Sequence, residues 1–147
     1  MAEDKMMHTD IVSALGGRQV FGSGSRQIDL LEEVERGLPT KAYGVIAKTL
    51  GLTPEEEDRL LQNSLRTRAR WKQRTRLDTA TSDRLVRLAR ILALATDVLE
   101  SQEHAVAWLR EASDALGGRT PLELMTTDVG AEKVTNMLYQ LEHGVYA

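Results

Sequence analysis

The segment TPEEEDRLLQNSLRTRARW, Thr53–Trp71, holds two helix starts in quick succession. Thr53 supplies a capping hydroxyl, and Pro54 takes the first helical position, where a missing N–H costs nothing. Glu56, three residues after the cap, completes a capping box. Leu60 and Leu61 form the apolar face of this short helix, which stops near Gln62 and Asn63. Ser64 is a second N-cap. Beyond it every second residue from Arg66 to Arg76 is basic. A period of two normally argues for a strand, yet ARW and RTR offer no clean apolar face to a sheet. On a helix, at about 100° per residue, Arg66, Arg70 and Arg74 share one sector, while Arg68, Lys72 and Arg76 fall on the other side. One helix cannot aim both sets at one groove. The pattern therefore predicts a helix from about Leu65 to Lys72, followed by a basic turn.

The flanking sequence extends this reading. Upstream, residues 27–36 place Leu30, Leu31 and Val34 on one face, with Gly37 at the stop position. Pro39 opens the next helix, where Tyr43, Ile46, Ala47 and Leu50 recur at helical spacing before Gly51. Three short helices with tight turns, then a basic helix, is the pattern of a helix-turn-helix. In that arrangement Arg66, Thr67 and Arg70 are expected in the major groove of DNA. Arg68, Lys72, Arg74 and Arg76 are expected on phosphates. Residues 1–25, with GGRQVFGSGS, show little periodicity and are expected to form a flexible segment. Their Gly-Ser-Gly lacks the Lys-Ser/Thr of a phosphate-binding loop.

Downstream, TSDRLVRLARILALATDVLES forms a long helix, with Ser82 or Thr81 as its N-cap. Leu85, Leu88, Leu92, Ala95 and Leu99 make a heptad-like seam. Ile91, Leu94 and Val98 add a second flank, so the distal half is apolar nearly all round. Such a helix is buried centrally, between subdomains or in a dimer, and the apolar excess points to a homodimer. Ser101 caps a helix carrying Ala105, Trp108, Leu109 and Ala112, broken at Gly117-Gly118. Thr120, Pro121 and Glu123 repeat the capping box. Thr127 or Asp128 caps a last helix with Val134, Met137, Leu138 and Leu141 on one face, ended by Gly144. The expected fold is all-α: a loose segment 1–25, a helix-turn-helix region 26–99 and a small helical domain 100–147.

Charge sharpens this picture. Residues 59–90 carry 10 basic and 2 acidic side chains, against 6 and 11 in residues 1–58 and 3 and 9 in residues 91–147. The whole chain is nevertheless acidic, with a net charge of −3. Such zoning is the footprint of a polyanion-binding module, although a solvated face carries charge runs as well. Aromatic residues are only 4% of the chain, so the core must be built mainly of Leu, Val and Ala. No stretch approaches the roughly 18 apolar residues that span a membrane. The absence of cysteine removes disulfide and thiolate chemistry and fits a reducing cytoplasm. No catalytic constellation is visible. His8, His104 and His143 stand far apart, without metal-ligand spacing, so neither an enzyme nor a metal or other cofactor is expected.

The last third, Ala105–Ala147, resembles the C-terminal toxin-binding domain of the Xre/MbcA/ParS antitoxin family. The resemblance is carried by Trp108-Leu109, Ala115-Leu116-Gly117-Gly118, Pro121-Leu122, Leu124, Thr127, Gly130-Ala131, Val134, Leu138 and His143-Gly144-Val145-Tyr146. Upstream, Arg66-Thr67, Arg70, Leu77 and SDRLVRLAR resemble the same family's Xre-type helix-turn-helix. Two positions depart from the pattern. Asn63 and Arg68 stand where the family usually has apolar residues that help seat the recognition helix, leaving Leu65 and Ala69 to compensate. The resemblance implies a type II antitoxin whose partner is a RES-domain toxin that destroys NAD. Such an antitoxin covers the toxin's active-site entrance with its C-terminal domain and represses its own operon through operator DNA. On that reading Trp108, Arg119, His143, Val145, Tyr146 and Ala147 are the candidate toxin-binding residues, the last three as an apolar, aromatic-bearing end suited to a concave site. The competing reading is a stand-alone dimeric regulator whose C-terminal helices serve only to dimerise.

Overall fold

A computed structural model of the chain describes residues 10–144. It is all-α. Among the described residues there is no β-strand, only isolated bridges at Pro39–Arg76 and Ser113–Arg119. The chain divides into two compact units, Met1–Arg90 and Ile91–Ala147. The division falls inside the long helix, where the sequence alone suggested 99–100.

Among the described residues of the first unit, two short N-terminal helical stretches precede α1 (Leu30–Arg36), α2 (Thr40–Leu50), α3 (Pro54–Leu61) and α4 (Leu65–Arg70). The first half of α5 (Thr79–Leu99) completes it. Thr53 and Glu56 form the expected capping box, Gln62 ends α3 in the left-handed region, and Ser64 caps α4. After Arg70 the helix tightens into a 3₁₀ turn, Trp71–Gln73, and residues 74–77 run antiparallel to 38–40. Thr40 N–H donates to the Thr75 carbonyl at 3.0 Å, and Leu77 N–H donates to the Leu38 carbonyl at 2.8 Å. Leu38, Ala42, Ile46, Leu50, Leu60, Leu61, Leu77 and Leu85 fill the core.

Three expectations need correction here. Residues 10–25 are not a loose segment. Residues 10–14 and Arg18–Phe21 are helical, and Ile11, Val12 and Leu15 are buried. Glycine here makes a bend rather than a tether. Gly16 has φ +116°, and a Cβ there would come within 2.3 Å of Val20. Leu31, read as part of an apolar face, is 69% exposed. The cap of α5 is Asp78, not Thr81 or Ser82, because the Asp78 carboxylate accepts from Thr81 N–H at 2.7 Å. Thr81 and Ser82 are buried and serve longer-range contacts: Leu38 N–H donates to Ser82 Oγ at 2.8 Å.

The second unit comprises the distal half of α5, then α6 (Gln102–Leu109), the one-turn α7 (Pro121–Leu124) and α8 (Asp128–Glu142). Ser101, Thr120 and Thr127 are the N-caps, with Glu123 completing a second capping box. α6 ends at Leu109, short of the two glycines. A 3₁₀ turn, Asp114–Leu116, follows and buries Leu116. Gly130 lies so close to the preceding turn that a Cβ would meet the Leu124 carbonyl oxygen at 1.8 Å.

Along α5 every residue from Leu85 to Ala95 except Arg87 and Arg90 is buried within a single chain. The apolar excess from Leu85 to Ala95 is therefore already covered, while Val98 and Leu99 are half-buried, so the covered stretch provides no argument for a homodimer.

Candidate functional site

In the first unit α4 follows α3 across a short turn, in helix-turn-helix order. Arg66, Arg70, Lys72 and Arg74 are exposed, and Thr67 is half-buried, with its hydroxyl 3.1 Å from Ser64 Oγ. Lys72 lies on the 3₁₀ turn after Arg70, and Arg74 follows it in extended backbone.

Arg68 is different. It stands roughly 200° around the helix from Arg66, so it points inward, and its side chain is only 4% exposed. Its Nη1 donates to Asp58 Oδ1 and to the Asn63 carbonyl, both at 2.6 Å, and its Nη2 donates to the Pro54 carbonyl at 3.3 Å. Its Nε lies 2.9 Å from Glu57 Oε2, close enough for a strong charge interaction but without hydrogen-bond alignment. The expectation that Arg68 reaches a DNA phosphate is therefore corrected: the cation is neutralised inside the protein. Arg76 is corrected likewise. Its Nη1 is held by Glu33 Oε2 at 3.1 Å and by the Gly37 carbonyl at 2.7 Å, where it fastens the basic turn to α1.

The seating of α4 also differs from expectation. Leu65 is 65% exposed and Ala69 is exposed, so neither anchors the helix. Polar groups do so instead. Asn63 Nδ2 donates to the Leu61 carbonyl at 3.0 Å and to Thr81 Oγ1 at 2.7 Å, and Thr81 Oγ1 donates to Asp78 at 3.0 Å. Beside them the Trp71 ring meets Tyr43 edge-on, with centroids 5.0 Å apart. Burial pushes the Tyr43 phenol well above its usual range, reinforced by its hydrogen bond to Glu57 and opposed by Arg68.

In the second unit an open groove of about 770 Å³ is lined by Trp108, Leu116, Val129, Met137 and Leu141, with Glu132 and Lys133 among its polar residues. Val129 is 78% exposed and Leu141 37%. Trp108, Met137 and Leu141 lie on apolar helix faces, but only their neighbours Ala105, Leu109, Val134 and Leu138 are buried. The uncovered remainder of those faces is the groove. Trp108 is thus placed in it, whereas Arg119 and His143 are exposed and outside its lining. Val145, Tyr146 and Ala147 lie outside the described residues. Val129, Met137 and Leu141 were not anticipated as site residues. The available signal was that two helices of this unit carry more apolar positions than so small a core can cover.

The fold and surfaces define a helix-turn-helix protein carrying a second all-helical unit with an open apolar groove. Residues 29–90 match the antitoxin Xre-like helix-turn-helix domain, and residues 94–144 match the antitoxin Xre/MbcA/ParS C-terminal toxin-binding domain. The chain belongs to the Xre/MbcA/ParS antitoxin family. It is 36% identical over 94 residues to an Antitoxin Xre of Pseudomonas putida, covering 63% of this chain and 58% of that protein. A second Antitoxin Xre, from Yersinia enterocolitica, is 33% identical over 45% of each chain. A protein of a Sphingobium species named Prs ADP-ribosylating antitoxin is 31% identical over 48% of this chain and 50% of its own. The chain thus spans about half the length of the curated relatives it matches.

Proposed function

We propose that this protein is the antitoxin of a type II pair. Its second unit covers a RES-domain, NAD-degrading toxin at the active-site entrance, and its first unit binds operator DNA and represses the operon in the cytoplasm. One observation carries the reading: the open apolar groove around Trp108 lies within the residues that match a toxin-binding domain. An exposed patch of this kind is where a partner is expected to dock. Aromatic and apolar anchors there supply most of the binding energy. The relative named for ADP-ribosylation supports a toxin that acts on NAD, because ADP-ribosyl transfer takes its donor group from that cofactor.

The DNA arm of the proposal rests on Arg66, Thr67, Arg70, Lys72 and Arg74, without Arg68 or Arg76. Two-fold operators read by paired recognition helices are the habit of such modules, so the proposal includes a homodimer on DNA, formed without the α5 seam. The alternative, a regulator whose C-terminal helices serve only to dimerise, is disfavoured because residues 94–144 match a toxin-binding domain.

The test is co-expression with a RES-domain toxin encoded beside the gene, following growth and cellular NAD. The wild type is expected to restore both. Val129→Asp, at a position 78% exposed, is expected to keep the melting temperature and lose protection. Full protection by Val129→Asp would remove the groove from the toxin interface, and failure of the wild type would remove the RES assignment.

A further inference from the structure

We infer that Glu57 and Arg68 are positioning residues for DNA reading: a buried ion pair, acting beside the Trp71–Tyr43 contact at the end of the helix, sets the angle and depth at which α4 presents Arg66 and Arg70. The inference rests on the DNA-binding reading above and adds a specificity determinant that itself touches no DNA.

A six-residue helix depends on its surroundings to hold it in place. α4 is too short to be stable by itself, and it turns few apolar side chains inward. Leu65 and Ala69 face solvent. The one buried side chain of α4 is Arg68. That guanidinium bridges the first half and middle of α3, through the Pro54 carbonyl, Glu57 and Asp58, to the turn before α4, through the Asn63 carbonyl. Asn63 in turn is tied to the first turn of α5 through Thr81. The fork is rigid and planar, so it fixes orientation as well as distance. Glu57 is the more enclosed carboxylate, with 15% of its side chain exposed against 51% for Asp58. It is also shared with Tyr43.

The inference gives a prediction with an unusual sign. Neutralising an acidic residue near a DNA-binding surface should strengthen binding to a polyanion by simple electrostatics. If Glu57 positions α4, neutralising it should instead weaken binding, and only where base contacts matter. The experiment uses the full-length chain and two duplexes of equal length: the best sequence from a random-library selection with the wild type, and a scrambled version. Glu57→Gln is expected to lose about tenfold on the selected duplex, the discrimination one well-aligned side-chain pair supplies, and to bind the scrambled duplex unchanged or slightly more tightly. Its salt dependence on the scrambled duplex should match the wild type, because no phosphate contact is lost. Glu55→Gln, an exposed neighbour on α3, controls for charge and should not lose affinity on either duplex. Circular dichroism at the assay temperature checks folding. Should Glu57→Gln unfold, Asp58→Asn takes its place, with a smaller expected loss of about threefold on the selected duplex alone. Binding of the selected duplex by the tested variant at wild-type strength or better overturns the inference and leaves the DNA-binding reading intact. A wild type that binds no duplex overturns the DNA-binding reading and this inference with it.

Discussion

Replacing Arg68 by alanine strands two carboxylates and uncovers two carbonyls at once. Glu57 and Asp58 lose their shared cation, and the Asn63 and Pro54 carbonyls lose donors. Removing one partner of a fully buried pair costs about 3–5 kcal/mol. Here half of the Asp58 side chain is open to water, which screens that part of the interaction, so a loss of about 2–3 kcal/mol is expected. At about 4 °C per kcal/mol for a unit of this size, the melting temperature should fall by roughly 8–12 °C. Arg66→Ala is the matched control, on the same helix but exposed, and should stay within about 0.5 kcal/mol of the wild type. Urea titration followed by circular dichroism gives the free energies, and repeating it at high salt separates the mechanisms. A surface pair fades as salt rises, whereas a buried one is screened much less. If Arg68→Ala melts within about 2 °C of Arg66→Ala, or if its deficit vanishes in salt, Arg68 is a solvated surface cation. Arg68 would then be free to reach a DNA phosphate.

Arg70→Ala should lower the salt slope of DNA binding by about one and leave the melt unchanged, whereas Arg76→Ala should leave the slope alone and lower stability, as read by titrations at several salt concentrations. Gly130→Ala, despite the usual helical gain from alanine, should destabilise the second unit by about 1–3 kcal/mol, because its Cβ would meet the Leu124 carbonyl oxygen at 1.8 Å. Toxin capture should fall with it, while DNA retardation by the first unit persists. Ser82→Ala leaves the Leu38 N–H without its acceptor in a buried site and should cost about 1–3 kcal/mol, measured by the urea midpoint.

Much of the fold was legible because its signals are local. Thr53, Ser64, Ser101, Thr120 and Thr127 each cap the helix that follows, and a cap is decided by residues within one turn. The errors share the opposite property. Ser82 and Thr81 looked like caps because a hydroxyl bonds a nearby N–H and a distant one by the same chemistry, and only the fold brings Leu38 N–H to Ser82. Gly16 and Gly17 looked like a linker because a glycine bend and a glycine tether have the same composition. Trp108, Met137 and Leu141 were legible as apolar helix faces, but whether a face is covered depends on how many elements surround it.

Arg68 is the instructive case. Counting charge marked residues 59–90 as a basic zone and assigned every cation in the run to DNA. Helical geometry already separated Arg68 from Arg66 by half a turn, so one of the two had to face the protein. The carboxylates that receive it were also visible, in the EEED run of the preceding helix. Only a short turn separates α3 from α4, so an acidic run on α3 and an inward cation on α4 predict a pair. Charge taken by helix face and by neighbouring helix, rather than by zone, reduces the proposed DNA-facing set to Arg66, Thr67, Arg70, Lys72 and Arg74. It also accounts for an acidic cluster that would otherwise stand against DNA binding: Glu57 and Asp58 are turned toward the guanidinium that holds α4 in place.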